Sequence, residues 1–297
     1  MSIKWNARTL PNEELFYGHK ACGGCGESLA LRHVMKILGT RTFATLPAGC
    51  MAAVSFIYPN MAFTNNAIIS PFASTAAVAA GVRAGLDALG VKDTISLGVA
   101  GDGGTADIGI QALSGAIDRN DKIIFITTDN EAYMNTGIQK SGLTPYGTKT
   151  TTTPAGQNLP GSVTKKKNMF EIVAAHGISY AATASIGYME DFLAKVEKAK
   201  NTEGTSYLQV FVPCPTGWGY PAEMTVTLAK EAVDSGLIYL AEFENGEYKL
   251  NRDPKEFLSV ESYLMKQSRF KHLTKEDIMV IERQRDEKWE KIRRSWR

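Results

Sequence analysis

The sequence predicts an α/β fold, a mostly parallel sheet with helices on both faces. Three observations carry that expectation. Short apolar, β-branched runs of strand length recur along the chain, and segments with apolar residues at every third or fourth position lie between several of them. Two consecutive strand runs also end on polar turns, Gly101-Asp102 and Asp129-Asn130. Strand and helix in alternation build crossover units, and those bury their apolar faces as a parallel sheet covered on both sides.

The elements follow in order. Strand runs fall at 42–46, 95–100, 123–128, 180–184 and 207–212, and helical patterns at 74–89, 108–117, 169–176 and 189–200. From 141 to 162 the chain turns to Gly, Pro, Thr and Asn, too long and polar for a simple connection and expected to be a functional cover or interface element. Near the end, Ile278, Ile281, Trp289, Ile292 and Trp296 recur at helical spacing among Lys, Arg and Glu. That stripe must dock on the chain's own body or on a sister subunit. The expected organisation is one large domain over 1–250 and a charged helical extension over 251–297.

Charge and composition exclude several classes. Lys and Arg number 33 against 31 Asp and Glu, a formal net charge of +2, so no nucleic-acid footprint is implied. No apolar run reaches membrane-spanning length and 1–20 lack the apolar core of a signal peptide, so a cytoplasmic chain is expected. The short run Lys165-Lys166-Lys167 reads as a solvated loop.

Gly101-Asp102-Gly103-Gly104 sits at a strand-to-helix turn. Gly101, Gly103 and Ala106 also satisfy the dinucleotide pattern G-x-G-x-x-G/A, so a nicotinamide site competes. Asp102 separates the readings, because its charge would repel a bound pyrophosphate unless a cation lay between them. Magnesium, held by one or two protein groups plus phosphates, would make that carboxylate a ligand. The next strand delivers Asp129-Asn130-Glu131-Ala132 at its carboxyl end, with Asn130 as the natural amide ligand. As caps and turn formers the same residues would need no ligand at all.

The four cysteines are Cys22 and Cys25 in a C-x-x-C, then Cys50 and Cys214. Four thiolates suit a tetrahedral zinc or a 4Fe-4S cluster, and a lone C-x-x-C can equally be a redox dithiol. With no secretory signal, two disulfides are disfavoured. One local pair and two distant singles differ from the two local pairs of a typical structural zinc, which favours a cluster inside the folded domain. Of the histidines, His176 before Gly177 reads as a helix-terminus residue and His33 as structural. His19 and Lys20 adjoin the cysteine pair and are candidates to tune it or to touch a diphosphate.

The stretch GDGGTADIGIQALSGAIDR followed by DNEAYMNTGIQKSG resembles the thiamine-diphosphate enzymes. Together with GHKACGGCGESLALR, Gly49-Cys50 and the segment from Pro213 to Trp218, it is similar to one branch of them. That branch is the β subunit of pyruvate:ferredoxin oxidoreductase (pyruvate synthase) and related 2-oxoacid:ferredoxin oxidoreductases, and the resemblance covers 18–273. It implies the thiamine-diphosphate-binding fold, with Gly101, Gly103 and Gly104 at the cofactor. It also implies that Asp102 and Asn130 bind magnesium through side chains and Ala132 through its carbonyl, with Asn135 near the reacting carbon as the catalytic candidate. Cys22, Cys25, Cys50 and Cys214 match the family's ligands for a 4Fe-4S cluster.

The activity so implied is oxidative decarboxylation of a 2-oxoacid to acyl-CoA and carbon dioxide, with coenzyme A as co-substrate and electrons leaving through the cluster to ferredoxin. Partners are implied too: an α subunit carrying the pyrimidine-binding domain, and γ and δ-type subunits, the δ ferredoxin-like. Between Cys50 and Ala80 the sequence departs from the Trp-containing pattern of many pyruvate-using members. Branched-chain and aryl 2-oxoacids and oxalate therefore stand beside pyruvate. The competing classes are a nicotinamide-dependent dehydrogenase with a structural zinc and a noncatalytic scaffold, the latter opposed by intact Asp102, Asn130 and all four cysteines.

Overall fold

The computed structural model describes residues 5, 6, 8–156 and 159–296. In chain order the elements are α1 (Gly26–Leu38), β1 (Thr42–Pro47), α2 (Cys50–Ser55), β2 (Ala67–Ser70), α3 (Thr75–Ala88), β3 (Ile95–Gly101), α4 (Asp102–Ala106), α5 (Ile110–Asp118) and β4 (Ile123–Asp129). They continue with the two-residue strands β5 (Ala155–Gly156) and β6 (Leu159–Pro160), then α6 (Met169–Ala175), β7 (Tyr180–Ser185), α7 (Met189–Asn201), β8 (Ser206–Phe211) and α8 (Pro215–Trp218). The last are α9 (Thr225–Asp234), β9 (Ala241–Glu244), β10 (Glu247–Leu250), α10 (Val260–Leu264) and α11 (Lys275–Ser295).

Eight strands form one sheet in the order β10-β9-β7-β8-β4-β3-β1-β2. From β7 to β2 every pairing is parallel, while β9 runs antiparallel to β7 and β10 to β9. Successive side chains leave a strand on opposite faces, and the core divides accordingly. Leu97, Val99, Ile124, Ile126, Leu208 and Val210 join the core that holds α1, α7, α9 and α10. Their neighbours Ala100, Ile123, Phe125 and Tyr207 join the opposite one, with α3, α5, α6 and the C-terminal half of α11, while Ile278 and Ile281 of α11 join the first. Both faces are covered, as the alternation of strand and helix predicts.

The five expected strands and four helical regions are present to within a residue or two at most ends. The 108–117 pattern is α5, and a break at Asp107 just before it separates α5 from α4. The Asp107 carboxylate accepts from Tyr133 Oη at 2.8 Å, the Gly142 N–H at 2.8 Å and Lys167 Nζ at 2.7 Å, so the break is a clamp on the following loops. The hairpin β9–β10 and the edge strand β2 are additions, and Asn245-Gly246 at the hairpin turn is the usual signal for such a connection.

Expectation and structure part at Lys166, which is not solvated. Its side chain is only 19% exposed and ion-paired to both Asp129 and Glu131, because the polar loop folds back over the sheet edge. Segment 251–296 packs on the chain's own body. Trp296 stacks on Tyr248 with ring centroids 4.8 Å apart, and Trp289 Nε1 donates to the Gly236 carbonyl at 2.7 Å. Trp289 is buried among Phe257 and its neighbours. Trp289→Ala is expected to cost roughly 3–5 kcal/mol of unfolding free energy, read as a lowered urea midpoint at unchanged slope; a loss below about 1 kcal/mol would show that α11 is peripheral to the fold.

Candidate functional site

Parallel strands all release their carboxyl ends at one edge of the sheet, and here that edge gathers the candidate residues. β1 leads to Cys50, the first residue of α2; β3 leads to Asp102, the first residue of α4. β4 ends at Asp129 with Asn130 and Ala132 following, and β8 leads to Cys214, which precedes α8. Cys25 caps α1 and Cys22 lies exposed in the loop before it.

A cavity of about 210 Å³ opens at this edge. Its wall includes Gly101, Asp102, Gly103, Gly104, Asn130, Ala132 and Asn135 but neither His19 nor Lys20, and of the four cysteines Cys50 reaches it. The glycines serve different ends. A side chain at Gly101 would meet no atom within 4 Å and would project into open space, whereas one at Gly103 would collide with the Tyr133 ring.

Asp102 is 1% exposed and has no cationic partner among the described residues; its carboxylate accepts a hydrogen bond from Ser141 Oγ. Burial, with the Asp129 charge added, pushes this carboxyl well above the ordinary range. Ala132 is buried too, and no donor reaches its carbonyl among the described residues. A carboxylate without a cation and a carbonyl without a donor on one wall, beside the Asn130 amide, suit a hard divalent cation. The donor set therefore fits magnesium.

Asn130 is held from two directions. Its amide nitrogen donates to buried Glu27, two residues past Cys25, and its carbonyl accepts from Trp218 Nε1 at 2.8 Å, four residues past Cys214. Burial pushes Glu27 up to about 7, against the hydrogen bonds from Asn130 and Thr128. The Arg269 guanidinium lies 3.5 Å from the centroid of Trp218 and pairs with Glu131 at 2.6 Å. Lys166 bridges Glu131 at 2.8 Å and Asp129 at 2.7 Å. Burial works to raise Glu131, yet Lys166 and Arg269 outweigh it and hold that carboxyl below its ordinary value. The expected cover contributes directly: Ser141 reaches Asp102, and Thr144 Oγ1 donates to the Glu131 carbonyl at 2.6 Å.

Burial also dominates the thiols. Cys25 and Cys50 are raised, and Cys214 is pushed up to about 12 although its sulfur accepts from the Gly217 N–H at 3.3 Å. Cys50 and Cys214 each feel Glu27 and the other thiols, which places all four within electrostatic reach. Among the described residues, however, no three His, Cys, Asp or Glu side chains are gathered as ligands of one ion. As four thiols, the donor set matches in number what a 4Fe-4S cluster takes.

Glu27, Lys166 and Arg269 were not among the sequence candidates. Glu27 carries a faint signal, its place beside the C-x-x-C, whereas Lys166 and Arg269 carry none. His19 stacks on Phe16 with centroids 5.1 Å apart and is not on the cavity wall. His33 bonds within α1, and His176 caps α6 while bonding Ser114, both as structural residues.

The family described as "Thiamine pyrophosphate enzyme, C-terminal TPP binding domain" matches residues 47–210, the stretch that carries Cys50, Asp102 and Asn130. Over 96% of the chain, it is 46% identical to the ketoisovalerate oxidoreductase subunit VorB of Pyrococcus horikoshii, of which 94% is covered. Over 96% it is 47% identical to the pyruvate synthase subunit PorB of Methanothermobacter thermautotrophicus, of which 99% is covered. The chain belongs to the 2-oxoacid:ferredoxin oxidoreductase β subunits. A solved 2-oxoglutarate:ferredoxin oxidoreductase from Magnetococcus marinus shares the fold, with a TM-score of 0.60, 20% identity and 70% of each chain covered.

In this β subunit the Glu131 carboxylate depends on two cations, the buried Arg269 and the half-buried Lys166. Arg269→Met should lower stability by roughly 3–5 kcal/mol, because it strips one partner from a buried ion pair. Chemical denaturation measures it, and an unchanged midpoint would mean that Lys166 alone suffices.

Proposed function

We propose that this β subunit holds thiamine diphosphate, magnesium and one 4Fe-4S cluster in a cytoplasmic pyruvate synthase. The observation that carries the reading is the shared wall: Cys50 and Asp102, one from each cofactor's ligand set, line one cavity. Asp102, the Asn130 side chain and the Ala132 carbonyl would hold the metal, with the open side of Gly101 leaving room for the diphosphate. Cys22, Cys25, Cys50 and Cys214 would hold the cluster. When bound, the cofactor supplies carbanion chemistry and the cluster accepts single electrons. The chain's own residues bind, orient and exclude water: Ser141 and Thr144 close over the metal loop, and Asn135 faces the reacting end.

The wall bears on the substrate. No Lys, Arg or His among the described residues lines this cavity, and Pro47, Met51, Phe72 and Met134 make much of it apolar. This chain offers no counter-charge to a second carboxylate, which favours a short monocarboxylic 2-oxoacid, with coenzyme A taking up the acyl group. Pyruvate is the first reading. A branched-chain 2-oxoacid is the second, favoured by relatives named ketoisovalerate oxidoreductase at the same level of identity as those named pyruvate synthase.

Partner subunits complete the reading: an α subunit with the pyrimidine-binding domain, and γ and δ-type subunits that pass electrons to ferredoxin. Exposed apolar residues support a covering partner, with Tyr58 92% exposed, and Met61 nearby and Ile68 and Ile69 on the edge strand β2 also uncovered.

Purified without oxygen, the chain should carry about four iron atoms per polypeptide; zinc with no broad visible absorption would overturn the cluster. Thiamine diphosphate with magnesium should raise the melting temperature and nicotinamide dinucleotide should not. Asp102→Ala should abolish that rise while leaving iron content intact, and loss of both would point to misfolding instead. Assembled with its partners and a viologen acceptor, the complex should turn over pyruvate or 2-oxoisovalerate at least about tenfold faster than 2-oxoglutarate, and equal rates would remove the charge argument.

A further inference from the structure

A second cavity, of about 460 Å³, lies between α11 and the loops around Tyr146, Lys166 and Phe270. It shares no lining residue with the first. Its size falls in the range of small-molecule sites, roughly 300–1,000 Å³. Phe211, Leu237, Ile238, Tyr263 and Ile281 give it an apolar wall, and its cationic side chains outnumber its acidic ones six to three.

Most of those cations already have carboxylate partners. Lys166 and Arg269 hold Glu131, Lys291 pairs with Glu171 at 2.6 Å, Arg285 with Asp286 at 2.7 Å, and Lys165 approaches Glu287 at 3.8 Å. Lys288 differs. No carboxylate lies within ion-pair distance of it among the described residues. Its Nζ donates to the Leu237 carbonyl at 2.6 Å and sits 5.4 Å from the Tyr239 ring centroid. An ammonium has three N–H groups, so one carbonyl leaves donors to spare. Burial, reinforced by Lys166 and Arg285 and opposed by the Glu131 charge, pushes Lys288 down to about 8, the direction expected of a cation with no carboxylate in direct contact.

We propose that this cavity binds a small organic monoanion with an apolar body, its carboxylate on Lys288 and its hydrocarbon against Phe211, Leu237 and Ile238. A charge-assisted bond there would satisfy the spare donors, and the apolar wall would exclude water from it. A free inorganic anion would gain nothing from that wall, so the selectivity is for amphipathic carboxylates.

Titration calorimetry on the full chain tests this, with phenylacetate as probe and the neutral phenylacetamide as its isostere. Phenylacetate should bind with a dissociation constant of about a millimolar or tighter, and the amide about tenfold more weakly. Lys288→Met, which keeps the apolar stem, should weaken phenylacetate about tenfold and leave the amide unchanged. Lys288→Arg should restore the acid's advantage and guards against misfolding of the first variant. Absence of phenylacetate binding to the wild type, or equal binding by Lys288→Met, would overturn the proposal.

Discussion

An imbalance of buried charge governs this structure. Glu27, Asp102, Asp129 and Glu131 are all buried at one edge of the sheet, and the cations that face them are Lys166 and Arg269. Those two are spent on Asp129 and Glu131. Asp102 and Glu27 are left without a cation, and burial raises both. Isolated carboxylates in a medium of low polarity are costly enough that they either take a proton or acquire a counter-ion. The parallel sheet creates the imbalance by releasing several strands at one edge, and a bound metal ion is the simplest way to remove it.

Asn130 is where the two halves of the site meet. Its side chain answers to Glu27 beside Cys25, and its backbone to Trp218 beside Cys214. Any displacement of either cysteine segment is therefore transmitted to a candidate metal ligand through a single hydrogen bond. Gly217 tightens the arrangement further, since a side chain there would strike Met134, on the same loop as Asn135. The packing thus ties the thiol segments to the cavity wall directly.

Much of this was legible in the sequence because it is local. Strand runs, the glycine turn, Asp102, Asn130 and the Cys22–Cys25 pair all lie within short windows, and a parallel sheet needs only the alternation of strand and helix. Lys166 was not legible: three consecutive lysines in a polar loop look solvated, and only the fold shows that the middle one turns inward to Asp129 and Glu131. Arg269 sits well over a hundred residues from its partner Glu131, so no local pattern announces it. The hairpin β9–β10 had its Asn-Gly turn in plain view, but charged strands at a sheet edge carry little of the apolar signal that marks buried ones.

The loop that carries the candidate metal ligand Ala132 and the catalytic candidate Asn135 has its own constraint. Glu131 and Ile138 adopt left-handed backbone conformations, with φ of +68° and +65°, which side chains other than glycine disfavour and a β-branched one most of all. Both are held from outside: Glu131 by Lys166, Arg269 and Thr144, and the Ile138 carbonyl by the Thr151 N–H at 3.0 Å. Between them the Tyr133–Gln139 bridge closes the loop on itself. Ala132 and Asn135 therefore ride on a strained loop whose shape is fixed by buried ion pairs and by the polar cover, not by its own propensity. The cover and the ion pairs thus belong to the site as much as the residues that face the cavity.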